Sequence, residues 1–267
     1  MAGWTYSFAN KRKVYGMHVV VLLWCSSDAE WRIPVAFRLW RPKRTCAPAA
    51  YQTKLQLAAG MLTDLVAAGL PFAYLVMDTH YTAGWFTRLA GRLGICWVGT
   101  LHPRTAVIWG GRRQPVAELA ERLRLAWRPR LGLRAAAVTV YAPTYGRLRL
   151  VVTRNRHGNL ECLATSELDA DLTRVVARKR SRWSVETIFR DTKQYAGLGA
   201  CQCWSDAAMV RHVALVLLTF MVLQQLRLDP SESLGAVKER WQLAITRQGE
   251  PPPVPLKACP AHLRATA

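Results

Sequence analysis

Two acidic residues, Asp78 and Glu186, stand at positions where a carboxylate can do chemistry. Asp78 directly follows the apolar run Phe72–Met77, and active-site groups of α/β proteins collect at the carboxyl ends of such strands. Glu186 lies within a predicted helix. At about 100° per residue, four cations fall near its line on the helix surface, namely Lys179, Arg182, Arg190 and Lys193. A phosphate backbone along this stripe, with Glu186 holding a divalent metal, would use all five charged residues.

Both positions also have structural interpretations. Asp78 is well placed to cap the helix that follows it. The stripe around Glu186 can be a solvated helix face, on which i,i+4 ion pairs contribute only roughly 0.3–0.5 kcal/mol each. Four cations around one acid exceed what such pairing requires, and this favours the phosphate-facing interpretation.

The elements that must position Asp78 alternate between strands and helices, which predicts a mixed α/β fold. Apolar, β-branched runs predict strands, and apolar residues at helical spacing predict helices. The predicted order is a hairpin of His18–Trp24 and Ile33–Leu39, a helix over Tyr51–Gly69, the strand Phe72–Met77, a helix over Thr82–Leu93 and the strand Ile95–Gly99.

The segment between these elements and Glu186 is rich in arginine. Residues 101–160 contain twelve arginines and two acids, so their net charge is +10. Strand-like runs at Ala135–Tyr141, Leu148–Thr153 and Leu160–Ala164 predict a basic β insertion over 101–165. Because acids are scarce, a phosphate-facing surface is favoured over a solvated one, with Arg112 and Arg113 as predicted DNA contacts.

After the insertion the sequence predicts a long helix from Asp169 to Tyr195, capped by Asp169 or Asp171 and followed by Gly197. A second, apolar helix is predicted over Ser205–Leu226, and a Pro-rich tail begins at Gln248. The predicted domains are 1–100 and 166–228 as two parts of one core, 101–165 as the insertion, and 229–267 as a C-terminal helix and tail.

The overall charge predicts a polyanionic partner. The chain has 37 Lys and Arg against 17 Asp and Glu, a net charge of +20, and 51% hydrophobic residues. Such a surplus on a globular composition favours nucleic acid over small acidic metabolites, which need only a few basic groups. The longest apolar run, Val213–Leu223, is too short for a bilayer, so a cytoplasmic protein without membrane contact is predicted.

The seven cysteines are an odd number and include no CxxC pair, which favours reduced thiols over a disulfide framework. Cys201 and Cys203 bracket Gln202, but no second Cys/His pair follows at zinc-finger spacing. The spacing therefore does not predict a structural zinc site.

Residues 182–193, RWSVETIFRDTK, resemble the glutamate motif of bacterial insertion-sequence DDE transposases. Arg182, Glu186 and Lys193 match the motif, whereas Lys179 stands where the motif has tyrosine. Upstream, residues 75–81, LVMDTHY, are similar to the strand of that family that ends in its second aspartate. The basic insertion also has a counterpart in these enzymes, and the resemblance runs from about Tyr15 to Leu226.

The resemblance implies an RNase H-like fold, a mixed sheet with flanking helices. It also implies that three carboxylates hold two Mg²⁺ or Mn²⁺ ions for in-line attack on phosphate. Asp78 and Glu186 would be two of these catalytic ligands, and the implied DNA contacts are Arg182, Arg190, Lys193 and Gln202. The implied partners are the double-stranded DNA of transposon ends and target, and further copies of the chain when it is active.

The first catalytic aspartate of the family has no match. It belongs on a strand before the predicted hairpin, yet Met1–Lys13 contain no acid, and Asp28 and Glu30 lie in the hairpin turn. We therefore expect an N-terminally truncated transposase that does not transpose alone. The alternative is a non-catalytic DNA-binding remnant that inhibits the intact transposase, and a third possibility is a basic RNA-associated protein.

Overall fold

The computed structural model describes residues 3–7, 11–26 and 30–255, and the chain divides into two compact units. We call residues 72–183 the sheet unit. Residues 1–71 and 184–267 come together from the two ends of the chain, and we call them the terminal unit. The domain boundaries expected from the sequence stay predictions.

The strands are β1 (Gly3–Ser7), β2 (Arg12–Gly16), β3 (His18–Cys25), β4 (Arg32–Trp40), β5 (Tyr74–Val76), β6 (Cys96–Thr100), β7 (Ala106–Trp109), β8 (Arg112–Pro115), β9 (Ala126–Arg128), β10 (Leu133–Ala142), β11 (Gly146–Arg154) and β12 (Leu160–Thr165). The α-helices are α1 (Lys54–Ala67), α2 (Gly84–Arg92), α3 (Val116–Arg122), α4 (Leu172–Ser181), α5 (Trp183–Tyr195), α6 (Asp206–Gln225) and α7 (Leu234–Gln248).

The sheet unit is built on one eight-stranded sheet in the order β5-β6-β12-β11-β10-β7-β8, with β9 also paired to β10. β5 and β6 are parallel, and the other pairs are antiparallel. The central strands are strongly apolar, and α4 packs its buried Val175 and Val176 against Val151 and Leu163 of the sheet. This packing fixes the end of α4 near the strand ends that carry Asp78.

The terminal unit combines two hairpins with helices. β3 pairs with β4 and β1 pairs with β2, each as a two-stranded antiparallel sheet. The core of this unit lies along α6, whose Val213 and Phe220 pack with Ile188 of α5, Val237 of α7 and Leu39 of β4. α6 is also the one helix in the described ranges that is long and apolar enough to cross a membrane by length and composition alone.

Mixed α/β architecture is confirmed, as is the hairpin predicted at 18–39. The helix predicted at 51–69 is α1, which begins after Thr53 because Thr53 and Gln56 form a reciprocal capping box. The sequence prediction missed the β1–β2 hairpin, since neither strand is a continuous apolar run. Asp28, expected in the turn of the later hairpin, lies outside the described residues.

The prediction of a single helix from 169 to 195 is wrong, because α4 ends at Ser181 and α5 begins at Trp183. The Ser181 hydroxyl donates to the carbonyl of Arg178, which is the acceptor that the Arg182 N–H would use in a continuous helix. The Arg182 N–H bonds instead to the Lys179 carbonyl, at 3.1 Å. Of the two predicted N-caps, Asp169 and Asp171, the structure shows Asp171, whose side chain accepts hydrogen bonds from the N–H groups of Thr173 and Arg174.

Candidate active site

Asp78 lies two residues after the end of β5, in a tight turn that fixes its side chain. Its Oδ1 accepts the Tyr81 N–H at 3.0 Å, and its carbonyl accepts the Thr82 N–H at 2.9 Å and the Thr82 hydroxyl at 2.6 Å. Within the described part of the chain, Oδ2 accepts no hydrogen bond. One carboxylate oxygen is therefore anchored, and the other is available to a ligand.

Thr82 can hold this turn only because a glycine faces it. A Cβ on Gly99 of β6 would lie 2.4 Å from the Thr82 hydroxyl oxygen. The Thr82 carbonyl in turn accepts the Tyr145 hydroxyl at 2.8 Å. The turn of Asp78 is thus supported both by the neighbouring strand and by the β10–β11 connection.

Lys179, at the end of α4, lies between acidic groups of the sheet unit. Its ammonium donates to the Thr100 hydroxyl at 2.6 Å and lies 3.6 Å from Glu161, with only 12% of the side chain exposed. Burial lowers the pKa of Lys179, whereas the charges of Glu161 and Asp78 act to raise it. Lys179 belongs to α4 and Glu186 to α5, so the continuous helix on which the predicted stripe depends is interrupted between them.

Thr100 and Glu161 were missed by the sequence prediction, although pairing brings them together. Thr100 ends β6 opposite Leu163, and Glu161 lies two residues before Leu163 on β12. Alternate residues of a strand share a face, so Thr100 and Glu161 belong to the same face of the sheet. The signal in the sequence was Glu161 itself, an acidic residue two positions before the buried Leu163 in a mostly apolar strand.

A basic row crosses the same sheet through β11, β10, β7 and β8. Register pairs Arg147 with Tyr141, Tyr141 with Ile108 and Ile108 with Arg113, so these side chains share one face. Tyr141 and both arginines are exposed. Among the described residues neither Arg113 nor Arg147 has an ion pair. We call Arg113, Tyr141 and Arg147 the arginine row.

Arg112, the other predicted DNA contact of the insertion, is paired within the fold. Its guanidinium donates to Glu118 at 2.6 Å, and both side chains are partly exposed. Arg113, directly after it in β8, lies on the opposite face of the strand. The structure therefore separates the two predicted contacts.

Glu186 belongs to the terminal unit, where α5 presents it on an exposed position together with Lys193. Arg190, also exposed, donates from Nε to Asp191 Oδ1 at 3.0 Å. Asp191 is buried. Arg182 lies at the junction before α5 and is half-buried in the sheet unit.

Asp191 is a buried acid that the sequence did not single out. It lies near the guanidinium of Arg227, whose pKa is lowered by burial and by Arg32 and raised by Asp191 and Glu232. Buried charges need partners of opposite sign to offset the loss of solvation. Asp191 therefore serves the core of the terminal unit, and it also holds one side of Arg190.

The connection between α5 and α6, together with the first turns of α6, brings together three metal-binding side chains, two cysteines and one histidine. The ligand atoms of Cys201, Cys203 and His212 all lie within 4.8 Å of one another, and all three residues are half-buried. Gln202, a predicted DNA contact, is exposed between the two cysteines. Spacing rules missed this group because His212 lies on α6, nine residues after Cys203.

Comparison with known protein families gives one match. The model of the transposase DDE domain covers residues 1–222, which includes both predicted motifs. The chain belongs to the DDE transposase family. None of the curated proteins matches it. The resemblance seen in the sequence is confirmed, and DNA is the substrate class of this transposase family.

Proposed function

We propose that this DDE transposase-family chain binds transposon-end and target DNA through its basic surfaces, and that Asp78 and Glu186 are its catalytic metal ligands. The match over residues 1–222 carries the proposal, because it covers the ordered set of Asp78, Arg182, Glu186 and Lys193. In this family the reaction is metal-dependent phosphodiester hydrolysis followed by strand transfer, carried out on chromosomal DNA in the cytoplasm by an oligomer of the chain.

The chemistry of the Asp78 turn supports a hard divalent cation. A carboxylate with one anchored oxygen and one available oxygen suits Mg²⁺ or Mn²⁺, which prefer oxygen ligands. When bound, such ions lower the pKa of an attacking water or hydroxyl and stabilise the leaving oxygen. The protein contributes a fixed carboxylate position, held by Tyr81, Thr82 and Gly99.

Lys179 changes the electrostatics of this turn. It stands where the family motif has tyrosine, and its ammonium acts on both Asp78 and Glu161. A positive charge that acts on the carboxylate disfavours a second cation there. Divalent-metal binding at Asp78 is therefore expected to be weaker than at a turn without the lysine.

DNA contacts are proposed at Arg113 of the arginine row, and at Arg182, Arg190, Lys193 and Gln202 around α5. Arg113 and Lys193 are exposed, and no described residue pairs with their charges. Each is thus available to a phosphate without loss of an internal ion pair. Arg112 contributes less, because binding phosphate would require it to leave Glu118.

We further propose that the chain does not carry out strand transfer on its own. Strands β1, β2 and β3 contain no acidic residue, so no described strand before the β3–β4 turn supplies a third carboxylate. This observation favours the second candidate function, a DNA-binding protein that inhibits an intact transposase by occupying transposon ends or entering its oligomer.

Binding to a random-sequence DNA duplex at several salt concentrations tests the DNA surface. Each lost phosphate contact should reduce the slope of log affinity against log salt by about 1. Arg113→Ala and Lys193→Ala should each lower the slope in this way, whereas Arg112→Ala should change it less. If all three variants have the same salt slope as the wild type, DNA does not bind through the proposed surface.

Asp78→Ala separates an enzyme from a binding protein. The substitution should leave duplex affinity unchanged or slightly increased, because it removes one negative charge from a basic surface. Metal-dependent cleavage of supercoiled plasmid, if the wild type shows it, should disappear in this variant. Cleavage that survives Asp78→Ala would show that Asp78 is not a catalytic ligand.

A further inference from the structure

The segment between α5 and α6 turns back onto α6 and places two thiols beside one imidazole. Cys201 and Cys203 follow a short 3-10 turn, Leu198–Ala200, and both pack against the core of the terminal unit. His212 lies near the start of α6. The three ligand atoms lie within 4.8 Å of one another, close enough for one ion to contact all three.

The hydrogen bond of His212 settles which of its nitrogens can bind an ion. Its Nε2 lies 3.2 Å from the carbonyl oxygen of Gly197. A carbonyl can only accept, so Nε2 carries the proton and Nδ1 keeps its lone pair. Histidine ligands of metals commonly donate their second nitrogen in this way, which fixes the ring.

Gly197 is suited to this role by its backbone. It has a left-handed conformation, with φ of +76°, which ends α5 and turns the chain toward α6. Its carbonyl thus reaches His212, fifteen residues later. The turn that ends one helix therefore orients the imidazole on the next.

We propose that Cys201, Cys203 and His212 form a Zn²⁺ site that ties the α5–α6 connection to α6. Two sulfurs and one nitrogen suit zinc better than Mg²⁺, which prefers oxygen. With three protein ligands, a water molecule completes the tetrahedron, in agreement with the half-buried position of all three residues. The site shares no residue with the proposed carboxylate ligands, and it does not depend on the proposed function.

Cobalt substitution of the full chain tests this site directly. Under reducing conditions, the metal-free chain titrated with Co²⁺ should bind about one ion, and thiolate-to-cobalt absorption should appear and then be displaced by Zn²⁺. Cys201→Ser, Cys203→Ser and His212→Asn should each weaken Zn²⁺ binding by at least about 100-fold, since even losing an outer partner of a ligand costs 10–100-fold.

Matched variants separate loss of the site from loss of the fold. Cys46→Ser, in the same unit, and His80→Asn should bind Zn²⁺ like the wild type. Zinc should raise the Tm of the wild type and of these controls but not that of the three site variants. The proposal is overturned if the wild type shows no thiolate-to-cobalt absorption, or if the absorption and Zn²⁺ affinity survive Cys203→Ser in a variant whose circular dichroism matches the wild type.

Discussion

In the sheet unit, Asp78 is held by hydrogen bonds from Tyr81 and Thr82, with the charge of the buried Lys179 close by. In the terminal unit, Glu186 projects from an exposed helix position near an exposed Lys193. The first carboxylate is preorganised, and the positive charge of Lys179 already acts on it. The second lies where ligands reach it from solvent. A metal ion at Asp78 has to compete with the charge of Lys179, but the carboxylate needs no further ordering. The exposed Glu186 side chain must instead be ordered when a ligand binds.

The largest expected effect concerns the two cores. Phe220→Ala should destabilise the terminal unit by about 3–5 kcal/mol, and Leu163→Ala should destabilise the sheet unit by about 2–5 kcal/mol, because both side chains are fully buried. Hydrogen exchange should show lost protection of α6 in the first variant and of β11 and β12 in the second. If either variant loses exchange protection equally in the sheet unit and the terminal unit, the two units do not unfold separately.

Gly99→Ala tests how firmly the Asp78 turn is held. A methyl group at this position would meet the Thr82 side chain, so a loss of about 1–3 kcal/mol is expected from overpacking, measured by urea unfolding. Gly91→Ala is the control in the same unit. Its Cβ meets nothing within 4 Å, and alanine should stabilise α2 by up to about 1 kcal/mol. Similar results for both glycines would show that the turn does not depend on Gly99.

Lys179→Met and Lys193→Met together compare the stability contributions of a buried and an exposed lysine. Removing the bond to Thr100 and the partner of Glu161 should cost about 1–2 kcal/mol, at the lower end for charged hydrogen bonds because Glu161 is partly solvated. Lys193→Met should stay within about 0.5 kcal/mol. Thermal unfolding of both variants measures the difference, and a neutral Lys179→Met would mean that Lys179 does not stabilise the sheet unit.

The smallest expected effect belongs to an exposed ion pair of the terminal unit. Arg38 and Asp64 lie 3.4 Å apart with side chains 53% and 67% exposed. Asp64→Ala should therefore change stability by less than about 1 kcal/mol, an effect that salt screens. Chemical denaturation at low and high salt provides the check, and a large effect that persists in high salt would contradict this interpretation.

The sequence predicted the parts of the fold that rest on local patterns. The apolar run before Asp78, the β3–β4 hairpin and the apolar helix α6 each carry their own periodicity. The capping signal at Asp171, one of the two predicted N-caps of α4, also acts within one turn. Such features are decided by neighbouring residues, so they can be recognised without knowing the tertiary structure.

The parts that the sequence did not predict depend on competition or on distant contacts. The break after Ser181 coincides with a hydroxyl bond to the Arg178 carbonyl and with a bond from the Arg182 N–H to Lys179, neither of which helical periodicity registers. Helical periodicity places Lys179 on the stripe of Glu186, but its contacts are with Thr100 and Glu161 on distant strands. His212 joins the two cysteines only because Gly197 turns the chain back.

We propose that this DDE transposase-family chain binds DNA, and that its described strands before the β3–β4 turn supply no third catalytic carboxylate. Strand transfer by the purified chain, with Mg²⁺ or Mn²⁺ and DNA carrying the sequences that flank its own gene, tests this most directly. We expect the chain to bind that DNA without forming joined products. Metal-dependent strand-transfer products that disappear in Asp78→Ala would contradict it and would establish a complete active site.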